Sequence, residues 1–243
     1  MIEIINLEKS FGTQKVLRGI NLRIETGEVT AILGKSGGGK SVLLKHIIGL
    51  LKSDSGQVLV DGVDIAGLGT QDLDKVREKF AVVFQFGALF DSMTIFENVA
   101  FPAIEKRKIA TEDIRDKVRE MLDEVGLEGI EEKYPSEISG GMRKRVALAR
   151  ALIMEPKVIL FDEPTTGLDP ILLNQIHSYI KETHVKYGFT GIVISHEIPE
   201  IFDISDKVAV LDEGVIIEAG TPAEILKSGN PLVRRFVAPR RYV

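Results

Sequence analysis

The chain has 243 residues, carries a net charge of −5 and contains no cysteine. A chain of this length can bury one substantial core, but its acidic balance gives no general attraction to nucleic acid or to acidic lipid. The lack of cysteine excludes a disulfide framework and thiol chemistry, which suits a cytoplasmic protein. No apolar run approaches the roughly 18 residues that a membrane-spanning helix needs, and the best candidate, residues 42–51, is interrupted by Lys45 and His46. We therefore expect a soluble chain that depends on a partner for any role at a membrane and that binds no nucleic acid.

A phosphate loop is the first motif along the chain. Short β-type runs with turn signals occupy residues 1–30 and 56–63. The apolar run at residues 29–33 predicts a buried strand, and residues 43–48 have apolar positions at helical spacing. Between them, residues 34–41 (GKSGGGKS) fit the pattern G-x-x-x-x-G-K-[ST] at every fixed position. A strand, a glycine-rich loop and a helix in this order aim backbone N–H groups at an anion. The alternative, a glycine-rich turn with a surface lysine, does not explain the flanking elements.

This loop predicts most of a nucleotide site. Lys40 would reach the β- and γ-phosphates, and the hydroxyl of Ser41 would hold Mg²⁺. The loop residues expected to surround the phosphates are Gly34, Ser36, Gly37, Gly38 and Gly39.

Helical patterns dominate the middle of the chain, after a core strand predicted at residues 81–84 that delivers Gln85. Thr94 begins a segment with the spacing of a capping box. A second helix is expected to start at Thr111 and to end before Gly126, because an acidic first turn and a glycine stop mark its two ends.

A second glycine-rich helix start lies at residues 139–141 (SGG), ahead of a helical run to Ile153. Ser139 is a natural N-cap, and the glycines Gly140 and Gly141 would let the backbone approach an anion closely. On these residues alone, an ordinary capped helix is an equal alternative. The basic cluster at residues 143–145 predicts either a positive field at the phosphate site or a solvated helix face.

Two acidic residues follow a predicted strand at residues 157–161. In open α/β sheets ligands collect at the carboxyl ends of the strands, so Asp162 is placed to support Mg²⁺. Glu163 would polarise the attacking water as a general base, if burial and phosphate charge raise its pKa. A pair of solvated turn acids is the weaker alternative after an apolar strand.

The last third of the chain alternates helices and strands again. Asp169 should open a helix that runs to Tyr187, and residues 190–194 predict a strand that ends at His196. Thr221 should cap a last helix. The four arginines near the C-terminus predict a solvated end, with anionic lipid or a partner subunit as the alternative contact; they are Arg234, Arg235, Arg240 and Arg241. This order of elements predicts a parallel α/β core with a helical insertion.

The segment at residues 85–99 is rich in aromatic residues, although they make up 6% of the chain. One interpretation is a hydrophobic groove that receives a helix from a membrane subunit. The alternative is burial of these side chains, namely Phe86, Leu89, Phe90 and Phe96, where the insertion meets the core. We expect both, with core packing as the larger share.

The order of motifs resembles the ATP-binding subunits of ABC transporters over nearly the whole chain, to about Leu226. The motifs are, in order, Gly34–Ser41, Gln85, Ile138-Ser139-Gly140-Gly141-Met142, Phe161-Asp162-Glu163-Pro164, Gly167-Leu168-Asp169 and His196. Residues 138–142 stand at the position of the family's signature, with Ile138 and Met142 where leucine and glutamine are usual. The serine and both glycines are kept, so only contacts made by the usual glutamine are in doubt.

The resemblance implies a P-loop NTPase fold of the RecA-like kind, with an antiparallel β subdomain and an α-helical insertion beside the parallel core. It implies one domain over residues 1–243, with a core at about 1–86 and 157–220, a helical subdomain at about 87–153, and a short helix and tail at 221–243. It also implies a head-to-tail homodimer in which ATP is held by the phosphate loop of one chain and the signature of the other.

Further roles follow from the same resemblance. Gln85 would contact Mg²⁺ and the attacking water, His196 would hydrogen-bond the γ-phosphate, and Asp169 would act across the dimer. Phe11 would stack on adenine, where the family often has tyrosine, and Val16 would also line the nucleotide site.

The amino-acid sequences at residues 87–102 and 41–45 look like those of the ATPases of bacterial Mla-type lipid transporters. These ATPases work with MCE-domain proteins. The expected function is therefore an ATPase at the cytoplasmic face of the inner membrane that drives a membrane permease for phospholipid. A soluble ATPase for iron–sulfur assembly and an importer ATPase for a small polar solute are the alternatives. A DNA-repair ATPase is disfavoured, because residues 41–139 leave no room for a long coiled coil and the charge is wrong for DNA.

Overall fold

The computed structural model describes residues 1–106 and 113–237. The predicted helix start at Thr111 and the arginines Arg240 and Arg241 lie outside these residues. The chain divides into two compact units: residues 1–80 with the described residues from 189 onward form the first unit, and residues 81–188 form the second. The predicted domain limits stay a prediction.

Ten strands and eight helices occupy the described residues. The strands are β1 (Ile2–Phe11), β2 (Gln14–Ile24), β3 (Val29–Leu33), β4 (Ser55–Val60), β5 (Val63–Asp64), β6 (Phe80–Val83), β7 (Val158–Asp162), β8 (Thr190–Ser195), β9 (Lys207–Asp212) and β10 (Val215–Gly220). The helices are α1 (Lys40–Ile47), α2 (Thr70–Arg77), α3 (Ile95–Glu105), α4 (Ile114–Asp123), α5 (Gly140–Leu152), α6 (Pro170–Tyr187), α7 (Pro222–Leu226) and α8 (Pro231–Val237). None of these helices combines the length and the apolar character needed to cross a membrane.

An antiparallel sheet in the first unit has the strand order β2-β1-β4-β5. The long strands β1 and β2 pair antiparallel, and β1 also pairs antiparallel with β4. Their apolar side chains point to one buried face, as the period of two residues requires; examples are Ile2, Ile4 and Leu22. This sheet is the expected antiparallel β subdomain.

A second sheet in the same unit has β3 at its centre, in the order β10-β9-β3-β8. All five residues of β3 are buried, and the strand pairs parallel with β8 and β9. Leu33 lies opposite Ser195 of β8 and Val210 of β9. The carboxyl ends of parallel strands meet at one edge of a sheet, so residues 34–41, residue 196 and the end of β9 lie together at that edge.

The second unit contains α3, α4, α5 and α6 with the neighbouring strands β7 and β6. Helix α3 packs against α4 and α5. Three predicted helix starts are confirmed, because a side chain caps each helix. Thr94 and Glu97 form a capping box, Ser139 Oγ accepts a hydrogen bond from Met142 N, and Asp169 Oδ1 accepts from Ile171 N and Leu172 N. Together the two units have the mixed sheets and helices of the P-loop NTPase fold, which confirms the predicted fold class.

The predicted cap at Thr221 is confirmed, because Thr221 forms a capping box with Glu224 at the start of α7, but α7 is not the last helix. Helix α8 follows α7, with Pro231 as its first residue. Asn230 Oδ1 accepts a hydrogen bond from Leu232 N and so caps the additional helix. An asparagine followed by proline is a helix-start signal, because proline is favoured in the first turn.

A buried asparagine holds the chain ahead of α3 in place. Asn98 is fully buried; its Oδ1 accepts a hydrogen bond from Phe90 N at 2.8 Å. Its Nδ2 lies 3.0 Å from Phe90 O, 3.1 Å from Met93 O and 3.0 Å from Thr94 O. The Asn98 amide therefore provides a partner for Phe90 N and Met93 O, and a further contact to Phe90 O and Thr94 O, which also accept main-chain hydrogen bonds from Met93 N and Asn98 N.

Replacement of this amide should destabilise the second unit. We expect Asn98→Ala to lower the free energy of unfolding by about 2–3 kcal/mol, because buried main-chain groups lose their partners. Denaturant unfolding followed by circular dichroism measures the change. Asn174→Ala, on the exposed face of α6, is the matched control and should stay within about 0.5 kcal/mol of the unchanged protein. Equal stability of the two variants would contradict the role of Asn98.

Candidate nucleotide-binding site

The phosphate loop leaves β3 next to the end of β9, and this proximity explains its first glycine. A Cβ atom on Gly34 would lie 2.4 Å from the carbonyl oxygen of Leu211. No side chain fits at that distance, so the requirement for glycine at position 34 is steric. The close approach fixes the direction in which the loop leaves the sheet.

Lys40 turns its ammonium group back into the loop. The residue is 5% exposed, and its Nζ donates hydrogen bonds to Gly34 O at 2.8 Å and Lys35 O at 2.9 Å. A buried ammonium group is stable only when it is hydrogen-bonded, and these carbonyls meet that need. The predicted phosphate-binding lysine is therefore held at the centre of the loop, where its charge can act on an anion.

The start of α1 is suited to the same anion. Its N-cap residue, Gly39, has a left-handed backbone with φ +99°, and the first turn of α1 contains no acidic residue. The N–H groups at the start of a helix carry a partial positive charge, and here no capping side chain accepts from them. Ser36, Gly37 and Ser41 lie exposed around this end of the helix.

Three other predicted residues belong to the first unit. His196 directly follows β8 and is exposed at the sheet edge from which the phosphate loop leaves. Val16 of β2 contacts the loop, because its carbonyl oxygen lies 3.1 Å from a Cβ atom built on Gly39. Phe11 lies at the end of β1 opposite Gln14, is 47% exposed, and carries the ammonium of Lys9 5.6 Å from its ring centre. The unit thus brings His196 and Val16 to the loop and presents an accessible aromatic face at Phe11.

In the second unit, Asp162 ends β7 and Glu163 follows it in an unusual conformation. The φ of Glu163 is +49°, in the left-handed region that residues with side chains rarely adopt. Its carboxylate oxygen Oε2 accepts a hydrogen bond from Thr166 Oγ1 at 3.0 Å. A strained backbone held by a specific contact is a frequent property of functional positions. Sequence reasoning missed Thr166, since nothing in the pattern indicated this contact.

The signature residues occupy the start of α5. Ser139 and Gly140 are exposed, and Gly141 is buried near Leu172, whose Cδ1 lies 3.5 Å from a Cβ atom built on Gly141. Because the Ser139 hydroxyl accepts the capping hydrogen bond, its proton remains available to an external acceptor. Asp169 caps α6 through one carboxylate oxygen and is exposed.

The prediction of a solvated or phosphate-facing basic cluster is wrong for Lys144. This residue is buried, and its Nζ donates to Pro164 O at 2.7 Å and to Thr166 O at 2.9 Å. Arg145 also serves the backbone, since its Nη1 donates to Val125 O and Gly126 O. Of the three residues, only Arg143 lies on the exposed face. The period of a helix predicts which positions share a face, but it does not predict that a lysine reaches a distant carbonyl.

The expectation that core packing takes the larger share of the aromatic segment is wrong for Phe86. The side chain of Phe86 is 81% exposed and that of Phe90 is 42% exposed. Gln85 is half-buried beside them. Arg150 of α5 holds this segment in place, because it donates hydrogen bonds to Gly87 O at 2.6 Å and Ala88 O at 2.8 Å. The exposed rings therefore stand on a fixed backbone, which is typical of a recognition surface.

Among the described residues, no group of three or more histidine or acidic side chains could hold a metal ion by itself. Mg²⁺ prefers hard oxygen ligands and completes its shell with phosphate oxygens and water. The predicted oxygen donors, Ser41, Asp162 and Gln85, are ligands of this hard type.

Comparison with known proteins assigns the family. The sequence model of the ABC transporter family matches residues 17–166. A relative from Mycobacterium leprae, named a probable ribonucleotide transport ATP-binding protein, is 42% identical over 240 residues, which cover 99% of this chain and 69% of that protein. The intermembrane phospholipid transport system ATP-binding protein MlaF of Haemophilus influenzae is 40% identical over 237 residues, covering 98% of this chain and 90% of MlaF.

Solved structures agree with the sequence comparison. The protein cbiO1 of Clostridium perfringens, described as part of the ABC transporter complex cbiONQ, superposes with a TM-score of 0.86 at 36% identity, covering 93% of this chain and 90% of cbiO1. The cassette MJ0796, a dimer bound to ADP and Pi, superposes with a TM-score of 0.83 at 32% identity, covering 91% of this chain and 99% of MJ0796. The phosphate loop, the acidic strand end and these likenesses lead to one conclusion: the chain belongs to the ABC transporter family, as one of its ATP-hydrolysing subunits.

Proposed function

We propose that this chain drives an integral membrane permease for phospholipid, as a head-to-tail homodimer at the cytoplasmic face of the inner membrane. The single observation that supports coupling to a membrane partner is the exposed, firmly held pair Phe86 and Phe90 next to Gln85. The support for phospholipid is the likeness to MlaF along 90% of the length of that protein. An MCE-domain protein is the expected third component.

The proposed reaction uses the residues in the following roles. The phosphate loop and Lys40 hold the β- and γ-phosphates, and His196 donates a hydrogen bond to the γ-phosphate. Ser41, Asp162 and Gln85 would hold Mg²⁺, which when bound would neutralise charge on the phosphate oxygens. Phe11 and Val16 support the base of the nucleotide.

Glu163 completes the chemistry as the general base. Its carboxylate accepts a proton from water, the water oxygen attacks the γ-phosphorus, and the bond to the β-phosphate bridging oxygen breaks to give ADP and phosphate. Thr166 directs the carboxylate through its hydroxyl group. Ser139, Gly140 and Gly141 of one protomer contact the ATP held by its partner, and Asp169 acts across the same interface.

A specific observation keeps a second cargo class open. The Mycobacterium leprae relative is named for ribonucleotide transport, at an identity similar to that of MlaF. A small polar solute is therefore the alternative cargo. An ATPase for the assembly of a soluble complex is the alternative mode of action.

Glu163→Gln should bind ATP and dimerise but hydrolyse ATP at least about 100-fold more slowly, because the amide cannot accept the proton. Phosphate release measures turnover, and size-exclusion chromatography with ATP measures dimerisation. The control is Glu128→Gln, an exposed residue of the same unit, which should keep the unchanged rate. Turnover of Glu163→Gln near the rate of the control would exclude Glu163 as the base.

Phe86→Ala should leave the thermal stability and the ATPase of the isolated chain nearly unchanged, because Phe86 is 81% exposed. Addition of Phe90→Ala should lower the stability but not the ATPase, because the Phe90 ring packs on Phe101 with ring centres 5.0 Å apart. Binding to membranes should be lost. Co-sedimentation with vesicles that contain the permease measures binding. Val185→Ala, an equally exposed apolar residue on α6, is the control and should still bind. A large loss of stability in Phe86→Ala would contradict the proposed docking surface.

Capture of partners tests the whole proposal. Tagged Glu163→Gln, loaded with ATP, is used to capture proteins from solubilised native membranes. Recovery of an integral membrane protein with an MCE-type protein supports phospholipid transport. A permease with a solute-binding protein supports the small-solute alternative, and recovery of soluble assembly factors alone contradicts the transport proposal.

A further inference from the structure

Helix α5 carries a buried cation that has no part in the reaction described above. Lys144 is 8% exposed, and its Nζ donates to the carbonyl oxygens of Pro164 and Thr166. An ammonium group leaves water only at a considerable cost in free energy, which well-placed acceptors must offset. The two short contacts, 2.7 Å and 2.9 Å, therefore define one position of the lysine against the loop that follows β7.

Both carbonyls belong to the short segment after Glu163, and this segment also makes the contact that directs the Glu163 carboxylate. Pro164 directly follows Glu163, and Thr166 donates its hydroxyl proton to the Glu163 carboxylate at 3.0 Å. Between them Thr165 is 1% exposed, which leaves the peptide little freedom to move. Lys144 thus holds the backbone of Thr166, and Thr166 holds the carboxylate in turn.

The strain at Glu163 makes such a support necessary. A glutamate with φ +49° occupies a left-handed conformation that is unfavourable for residues with side chains, so the chain adopts it only when neighbouring contacts enforce it. The hydrogen bond between Thr166 N and Glu163 O is long, at 3.4 Å, and contributes little by itself. The two lysine contacts, at 2.7 Å and 2.9 Å, are both shorter than this hydrogen bond.

Lys144 also lies near the signature. Helix α5 begins at Gly140 after the cap residue Ser139, so Lys144 lies one turn after the exposed residues Ser139 and Gly140. A helix is stiff over so short a distance, because each residue is tied to the next turn by a hydrogen bond. A shift of the helix start therefore moves the ammonium group, and with it the loop that carries Glu163.

We propose that Lys144 is a positioning residue that links the signature of each protomer to the general base of the same protomer. This inference depends on the proposed function, in which Glu163 is the base and the signature contacts ATP held by the partner. In a head-to-tail dimer, ATP bound at one site then aligns the base that acts at the other site. Lys144 accordingly makes hydrolysis cooperative in ATP.

The test compares Lys144→Met, Lys144→Arg and the exposed control Lys133→Met. Lys144→Met should lower kcat about 10- to 100-fold, the range expected for a misplaced catalytic group. Its affinity for a fluorescent ATP analogue should stay within about 3-fold, and the Hill coefficient for ATP should fall toward 1. Lys144→Arg keeps a buried donor and should recover part of both the rate and the cooperativity. Turnover and cooperativity of Lys144→Met equal to those of Lys133→Met would overturn the proposal.

Thr166→Val tests the same link without any change to the buried side chain at position 144. It should lower kcat without a change in ATP affinity. If Lys144 acts through Thr166, the losses of the two single variants should not multiply in the double variant. Multiplying losses would contradict the linkage, even if Lys144→Met folds poorly and only Lys144→Arg can be used in the cycle.

Glu163→Gln separates failure of this inference from failure of the proposed function. If Glu163→Gln is inactive and Lys144→Met is fully active, only the positioning role is wrong. If Glu163→Gln hydrolyses ATP at the unchanged rate, Glu163 is not the base and the positioning role is overturned with it.

Discussion

The parallel pairing of β3 on both of its edges is the constraint on which the phosphate loop depends. Because β8 and β9 hold Leu33 in register from the two sides, the chain leaves the sheet at one fixed point. The carbonyl oxygen of Leu211 then excludes any side chain at Gly34. The loop closes over the ammonium group of Lys40, which its own carbonyls hold. The paired sheet edge, the sterically required glycine and the hydrogen-bonded ammonium group thus fix the geometry of the loop.

In the second unit, side chains of the single helix α5 hold several main-chain segments in place. Three cations of α5 point their donors at main-chain carbonyl oxygens: Lys144, Arg145 and Arg150. Burial lowers the pKa of Arg150, although a guanidinium group remains charged at any physiological pH. The two carbonyls that Arg150 binds belong to the segment that presents Phe86. One helix therefore supports both the loop of Glu163 and the exposed aromatic surface.

The sequence predicted the features that depend on neighbouring residues. The caps at Thr94, Ser139 and Asp169 were found because a capping side chain bonds within three residues of its position. The phosphate loop was found because its spacing is set by the shape of a phosphate chain, which no other part of the protein alters.

The features that depend on distant residues could not be predicted. Lys144 reaches carbonyls 20 and 22 residues further along the chain, and helical periodicity contains no information on them. The exposure of Phe86 was missed for a related reason, since a large aromatic side chain is more often buried and only the surrounding packing decides. Helix α8, in contrast, could have been predicted, because asparagine and proline at positions 230 and 231 are a helix-start signal.

The nucleotide machinery itself cannot specify a cargo, and the relatives illustrate this. Two ATPases named for different cargoes, ribonucleotide and phospholipid, are 42% and 40% identical to this chain. In a subunit that contacts ATP rather than cargo, the choice of cargo reduces to the choice of membrane partner. That choice must be made by exposed side chains, because buried ones contact only this chain. Full burial of an exposed phenylalanine contributes about 1.5–3 kcal/mol. Because Phe86 is 81% and Phe90 42% exposed, covering both rings contributes about 2–4 kcal/mol, which can favour one partner over another by at least about 10-fold. Under the proposed function, the surface at Phe86 and Phe90 is where differences of cargo among related ATPases should first become visible in the sequence.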